Sequence, residues 1–239
     1  MRQRSRVPLL VSVPARHERR DGGLLQSRHT HAGAYAAVVL AGGYEETGNW
    51  GRFRVHAGDV LFHDAFDAHL NRFEARGATI LNLALTGDAS GFRAARVYDA
   101  DAVARTAERD PQVAVYVLTA QLREMRPVID DWADLLATEI VRDPNCRLDR
   151  WAEAHGIAPE TISRGFARAY GIAPATFRAE IRARRALKQI VHSMTSLVEI
   201  ASVLGFADQA HMTRAVRVLT GATPSHWRSR SSSFKTQPA

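Results

Sequence analysis

A single cysteine, Cys146, stands in a chain of 239 residues. No internal disulfide can form from one thiol, and no thiolate knuckle can hold a metal, so cystine-stapled and zinc-ribbon domains are excluded. Cys146 reads as incidental at a domain junction, and such thinness in thiols fits a reducing cytoplasm without demanding one. Long apolar runs are missing too. Nothing approaches the ~18 consecutive apolar residues of a membrane span, so no membrane partner is expected. The start, MRQRSRVPLLVSVPAR, puts basic residues ahead of an apolar stretch, but that stretch is only Val7–Val13 and Pro8 interrupts it, so it is not read as an export signal. Lysine is almost absent: Lys188 and Lys235 stand against 30 arginines.

What is present is positive charge in one place. The formal net charge is +7, yet from Asn145 onward 14 Lys+Arg face 6 Asp+Glu, while the preceding part holds 18 against 19. Genomic preference explains arginine over lysine but not this asymmetry. A near-neutral front and a basic back suggest a sensor-like module joined to one that meets a polyanion. The length is enough for two modest domains with cores of their own.

The basic part is organised around TSLVEIASVLGFADQAHMTRAVRVLTGATPSHW, Thr195 to Trp227. Ser196 and Glu199 form a capping-box pattern that opens a short helix near Leu197–Leu204. Gly205 ends it, Phe206 plugs the turn, and Asp208 is an N-cap for a helix with Met212, Val216 and Leu219 at helical spacing. Gly221 closes that helix and Pro224 starts another. The pattern predicts a helix-turn-helix whose second helix carries Arg214 and Arg217 on its polar side. WAEAHGIAPETISRGFARAYGIAP repeats it: Ala152 precedes Gly156 as Ala201 precedes Gly205, and Arg164 precedes Gly171 and Pro174 as Arg214 precedes Gly221 and Pro224. A plain three-helix packing unit is the blander reading, and two copies argue against it. Between the copies, Pro174 to His192 reads as one helix with Phe177, Ile181, Leu187 and Val191 inward, a rigid spacer between the two units.

The front half is β-patterned from Gly22 to about Leu85. Runs at Tyr35–Leu40, Arg52–Val55, Val60–Phe62 and Thr79–Leu85 are separated by Gly22-Gly23, Gly42-Gly43 and Gly58-Asp59, which suggests a small barrel or sandwich. Before it, residues 1 to about 20 are expected to lack order, apart from an edge strand around Leu9–Val13. From Asp99 the period turns helical. Asp110-Pro111 starts a helix with Val115, Leu118, Leu122 and Met125 in one stripe, and a second helix near Asp130–Ile140 carries Trp132, Leu135, Leu136 and Ile140. These stripes are core or a dimer seam. Asp143-Pro144-Asn145 is the expected domain boundary.

Within the β region, Gly23, His29-Thr30-His31, Tyr35 and Gly42 resemble the first motif of the cupin barrels, with Tyr35 in place of the Glu. Gly58-Asp59-Val60-Leu61-Phe62 followed by His69 resembles the second, with Asp64 for Pro and Phe66 for Gly. Residues i and i+2 share a strand face, so His29 and His31 point to one side. The resemblance brings His69 from the neighbouring strand. His29, His31, Tyr35 and His69 are therefore the candidate effector pocket, and three imidazoles on one face suit Zn, Ni or Fe. The alternatives are an organic-ligand pocket without metal, or a vestige. His56 and His63 sit at other spacings and are expected at the surface or in turns. Tyr44-Glu45-Glu46 and Trp50 are expected in an exposed acidic loop.

Leu148 to Trp227 resembles the DNA-binding domain of the AraC-type transcription regulators, carried by Ala152, Gly156, Ile162, Arg164, Phe166, Gly171 and Pro174, then Ile200, Ala201, Gly205, Phe206, Arg214, Gly221 and Pro224. Val216 stands where that family often has Phe, and Ala158 where it often has a Ser N-cap. The resemblance implies an α+β, two-domain chain: a cupin-like effector-binding barrel over 1–98, a helical connector over 99–143 and an all-α double helix-turn-helix over 144–230. The Ser-rich, polar end of the sequence is expected to be a disordered tail over 231–239. The resemblance also implies a cytoplasmic, sequence-specific DNA-binding regulator and not an enzyme. Its partners would be double-stranded promoter DNA, a small-molecule or metal effector, a second copy of the chain and, for an activator, RNA polymerase. By position, Glu160, Ser163 and Arg164, with Gln209, His211, Thr213 and Arg214, meet bases or adjacent phosphates in successive major grooves. Arg168 and Arg217 meet phosphates. The competing classes are a metal-dependent cupin enzyme with an accessory helical domain, resting on the histidines alone, and a non-specific architectural DNA binder.

Overall fold

The computed structural model describes residues 10–11, 16–86 and 91–235. It divides into two compact units, one chiefly of residues up to Ala137 and the other chiefly of residues from Thr138 onward. The first contains β1 (Leu10–Val11), β2 (Arg16–Arg20), β3 (Leu25–His31), β4 (Tyr35–Gly48), β5 (Gly51–His56), β6 (Asp59–His63), β7 (Ala68–Ala84) and β8 (Ala94–Val97). Then come α1 (Ala100–Ala107), α2 (Pro111–Thr119), β9 (Leu122–Met125) and α3 (Trp132–Arg142). The division falls within α3, a few residues ahead of Asp143-Pro144-Asn145.

The described strands form one sheet in the order β1-β3-β7-β4-β6-β8-β9, with β2 on β7 and β5 on β4. Every pairing is antiparallel except β1 with β3. The path does not return on itself, so the closed barrel expected from the motifs is corrected to an open sheet. The reason lies in β4 and β7. They pair along nearly their whole lengths, from Tyr35 opposite Ala84 to Gly48 opposite His69, with register shifts around Val39–Tyr44. Gly42-Gly43, expected as a turn, instead lies inside β4 as a bend. Gly42 holds φ 70°, and a Cβ there would collide with the Gly77 carbonyl of β7. Only a residue without a side chain permits both the backbone angle and that approach.

The shared bend makes two half-sheets from two strands. On one side of it β7 and β4 run between β3 and β5; on the other they run between β2 and β6. Alternate residues of β4 then serve different cores. Tyr35, Ala37 and Val39 pack with Tyr44, Phe53, Val55, Phe73 and Ile80. Ala36 and Val38 pack with Val60, Phe62, Leu81 and Leu83, together with Val103 of α1 and Ala114 and Leu118 of α2. So α1 and α2 cover one sheet face, and Leu118 is core. Asp99 and Asp110 cap these helices through Ala102 N at 2.7 Å and Gln112 N at 2.8 Å.

Several sequence expectations are corrected here. Leu122 and Met125 do not extend a helical stripe. They begin and end β9, which pairs with β8 and satisfies backbone groups on the β8 edge that a continued helix would leave unpaired. Arg16–Arg20 is a strand held by β7 over its full length, not an unordered segment; residues 1–9 lie outside the described residues. Tyr44–Glu46 is not an exposed loop: it belongs to β4, and Tyr44 and Glu46 are buried. Trp50 does sit in the turn between β4 and β5, its Nε1 donating to Asp67 Oδ2 at 3.1 Å.

The second unit is helical: α4 (Leu148–Ala154), α5 (Pro159–Tyr170), α6 (Pro174–His192), α7 (Leu197–Val203), α8 (Gln209–Thr220) and α9 (Pro224–Lys235). Ser196 Oγ accepts from Glu199 N at 3.2 Å and Asp208 Oδ1 from His211 N at 2.6 Å, the two caps read from the sequence. Ala186 and Ile190 of α6 pack with Ile200, Ala201, Leu204, Phe206, Met212 and Val216. The inner face of α6 carries Phe177, Ile181, Ala183, Ala186 and Ile190; Leu187, expected inward, packs partly buried against the Ala186 and Ile190 core, and Val191 is half-buried. Backbone helix continues to Lys235, correcting the tail expected from 231: once nucleated by Pro224 and the Trp227 anchor on Thr220, helix propagates at little cost per residue. Residues 236–239 lie outside the described residues.

Candidate nucleic-acid interface and sheet-enclosed pocket

In each half of the helical unit a short helix, a glycine turn and a longer helix follow one another: α4, Gly156 and α5, then α7, Gly205 and α8. Ile162, Phe166, Met212, Val216 and Leu219 point into the cores, which forces the opposite faces of α5 and α8 outward. Glu160, Ser163, Arg164 and Arg168 are exposed on α5, as are Gln209, His211, Arg214 and Arg217 on α8. Thr213 is half-buried. His211 is partly engaged by its own turn: its Nδ1 accepts from Ala207 N at 3.4 Å and its ring meets Phe206 edge-on at 5.3 Å.

Not all of the basic charge is outward. Arg182 donates to the Pro144 carbonyl at 2.8 Å and to Asn145 Oδ1 at 2.7 Å, and Arg185 donates to the Val141 and Arg142 carbonyls at the end of α3. Arg178 donates to the Cys146 carbonyl at 3.4 Å. Arg185 thus satisfies carbonyls that the α3 C-terminus leaves without intrahelical partners, and Arg178 and Arg182 tie down the connection after it. Part of the positive excess in the second half is therefore structural.

The second candidate is a cavity of about 160 Å³ enclosed by the folded-over sheet, lined from β2, β3, β4, β6 and β7. His29, His31, Tyr35 and His69 all reach it, as expected. His29 and His69 are direct cross-strand neighbours, with ring centroids 4.4 Å apart. Glu46 and His63, expected at the surface, also line it and are buried, because the β4 bend turns both ends of that strand toward one space. His63 pairs in register with Tyr35, and the two rings stack at 4.4 Å. The signal that could have found them was spacing: Glu46 and His63 fit inward alternation only if β4 runs unbroken through the glycines. His56 does lie at the surface, 3.0 Å from Glu74.

Burial dominates the electrostatics of this space. It holds the His69 imidazole well below the usual histidine range, with His63, His29 and His31 acting the same way. It lowers His29 too, although the Ser27 carbonyl at 2.8 Å opposes that shift. Burial raises the Glu46 carboxyl well above the usual range, helped by Asp67, and raises Tyr35 likewise. Neutral imidazoles are the form that binds metal. The nitrogens of His29, His31 and His69 lie within 4.8 Å of one another, and so do the ligand atoms of Glu46, His63 and His69.

A family of helix-turn-helix domains matches residues 151–230. The HTH-type transcriptional regulator RipA of Corynebacterium glutamicum is 34% identical over 95 residues, 39% of this chain and 28% of that protein. The virulence regulon transcriptional activator VirF of Yersinia enterocolitica is 32% identical over 82 residues, 34% of this chain and 30% of that protein. The chain thus spans less than a third of the length of these curated relatives. Among solved structures, the DNA-binding domain of AdpA in complex with a target DNA covers 46% of this chain and 100% of its own, at 19% identity and TM-score 0.41. ToxT from Vibrio cholerae, bound to unsaturated fatty acid, covers 89% of this chain and 93% of its own, at 10% identity and TM-score 0.41.

Residues 151–230 therefore form a helix-turn-helix domain. RipA and VirF, the relatives matched by sequence, are named as transcriptional regulators. No helix among the described residues is long and apolar enough to cross a membrane.

Proposed function

We propose that this chain is a sequence-specific transcription regulator whose helical unit reads promoter DNA and whose sheet unit senses a small effector. The observation that carries the reading is the pair of helix-turn-helix units, each presenting an outward arginine face, within the segment that matches the family. α5 and α8 are the recognition helices, entering successive major grooves. Arg164 and Arg214 meet base edges or adjacent phosphates with Glu160, Ser163, Gln209, His211 and Thr213, while Arg168 and Arg217 meet phosphates. Its site of action is the cytoplasm, where the DNA is. A second copy of the chain and, for an activator, RNA polymerase complete the set of partners.

The sheet-enclosed cavity, a cupin-like pocket although its sheet is open, is the effector site, lined by His29, His31, Tyr35 and His69. A small organic molecule fits its mixture of neutral polar and aromatic walls. The clustering of imidazole nitrogens favours a second reading, a divalent metal on His29, His31 and His69. The experiment is to map genomic DNA bound by the protein, then compare a recovered site with random DNA in a gel shift. Preference for the recovered site by on the order of 1,000-fold supports the regulator; equal affinity means an architectural binder.

A further inference from the structure

At the Glu46 corner of the cavity, we propose that Glu46, His63 and His69 bind one divalent first-row metal ion of the zinc or ferrous type. The inference rests on the reading of the cavity as an effector site and specifies its chemistry. The three side chains are 6%, 4% and 2% exposed, and their ligand atoms fall within 4.8 Å of one another. Glu46 Oε2 lies 3.6 Å from His63 Nε2. That is too long for a hydrogen bond, and it is close to the ~3.4 Å edge of a tetrahedron whose metal bonds are ~2.1 Å. His69 Nδ1 has no hydrogen-bond partner among the described residues. A buried ring nitrogen left in that state is costly unless something fills it.

The neighbours orient these ligands as a metal site requires. Asn71 stands directly opposite Glu46 in the sheet, and with its amide turned to donate, its nitrogen lies 3.1 Å from Oε2, leaving the other lone pair of that oxygen for the ion. Tyr35 stacks on His63 at 4.4 Å and brings its hydroxyl to 3.4 Å from His69 Nε2, steadying both rings. Two imidazoles and one carboxylate with open positions are a donor set for zinc or non-haem iron. The carboxylate that the cupin-like motif lacks at Tyr35 is thus supplied from Glu46 at the other end of β4.

The competing set, His29, His31 and His69, shares one ligand with this one but has no carboxylate to offset the ion's charge. His31 is only half-buried. The Gln26 amide nitrogen lies 3.2 Å from His29 Nε2, so an ion there must displace it.

The test uses the full chain stripped of metal, titrated with Zn²⁺ by calorimetry and with Co²⁺ by visible absorption. Wild type, Glu46→Gln, His63→Ala and His31→Ala are compared, with circular dichroism and melting as folding checks. One ion per chain is expected in wild type and in His31→Ala. Glu46→Gln should weaken binding on the order of 10-fold or more and change the Co²⁺ spectrum, and His63→Ala should abolish binding. No stoichiometric binding in wild type overturns the proposal, and that measurement needs no variant to fold. So does loss in His31→Ala with retention in His63→Ala and Glu46→Gln, which assigns the ion to the histidine-only set. DNA binding is measured in parallel on wild type with and without Zn²⁺. Failure in both states with intact metal binding counts against the regulator reading alone.

Discussion

At the scale of the residue, two side chains show how opposing effects are weighed. Phe66 stands where the cupin-like motif has Gly, and it takes the backbone angle that a Gly would, φ 64°. Left-handed backbone costs an ordinary residue roughly 1–2 kcal/mol, whereas burying a phenyl ring contributes about 1.5–3 kcal/mol, and the cavity left behind adds to the loss. Packing therefore wins. Phe66→Gly should lower stability by about 1–2 kcal/mol in urea denaturation, and a stabilised variant would show that strain outweighs the ring. On the DNA side, Arg214 and Arg217 lie on one exposed face of α8 but have different tasks in the proposed complex. Arg214→Ala should cost roughly 1–3 kcal/mol of specific binding and relax preference at one base. Arg217→Ala should weaken all sequences alike and reduce the salt slope by about 1. Unchanged operator affinity in a gel shift of Arg214→Ala removes its assigned role.

At the scale of the element, α6 and β4 are the ones on which function depends. α6 spans Pro174–His192, about 28 Å at 1.5 Å per residue, and contributes to the cores of both helix-turn-helix units. A single alanine inserted near its centre would rotate one unit against the other by ~100° and shift it by ~1.5 Å. Operator affinity should fall to the level of random DNA while helical content, read by circular dichroism, is kept. Specific binding that survives the insertion would mean that one unit alone reads the site. β4 depends on its bend in the same way. Were it two strands joined at Gly42-Gly43, Glu46 would leave the cavity that Tyr35 enters.

At the scale of the whole molecule, charge and core are both divided. The helical unit has its own core around Ile200, Phe206 and Met212, and the basic excess lies from Asn145 onward. A fragment of residues 144–235 is therefore expected to fold and to bind the operator with the salt slope of the full chain, losing only the response to effector. Filter binding across a salt series measures it. A much shallower slope in the fragment would place DNA-contacting charge in the sheet unit.

The helical half was legible in the sequence because its information is local. Caps at Ser196 and Asp208, turns at Gly205 and Gly221, and stripes at 3.6-residue spacing each act within a few residues, so the two repeats, the spacer helix and the outward arginines of α5 and α8 followed from pattern alone. In the sheet half, the sequence by itself determined that His29 and His31 share a face, that the region is β-structured, and that a carboxylate is missing at Tyr35. Only the tertiary structure decided the rest. A glycine pair reads equally as a turn or a bend, and the choice depends on the Gly77 backbone lying against Gly42 from a distant strand. Once β4 is bent and not broken, Glu46 and His63 become neighbours of His69. Spacing allows that arrangement but does not select it, because the contact is made through strand pairing between segments that the sequence alone does not register.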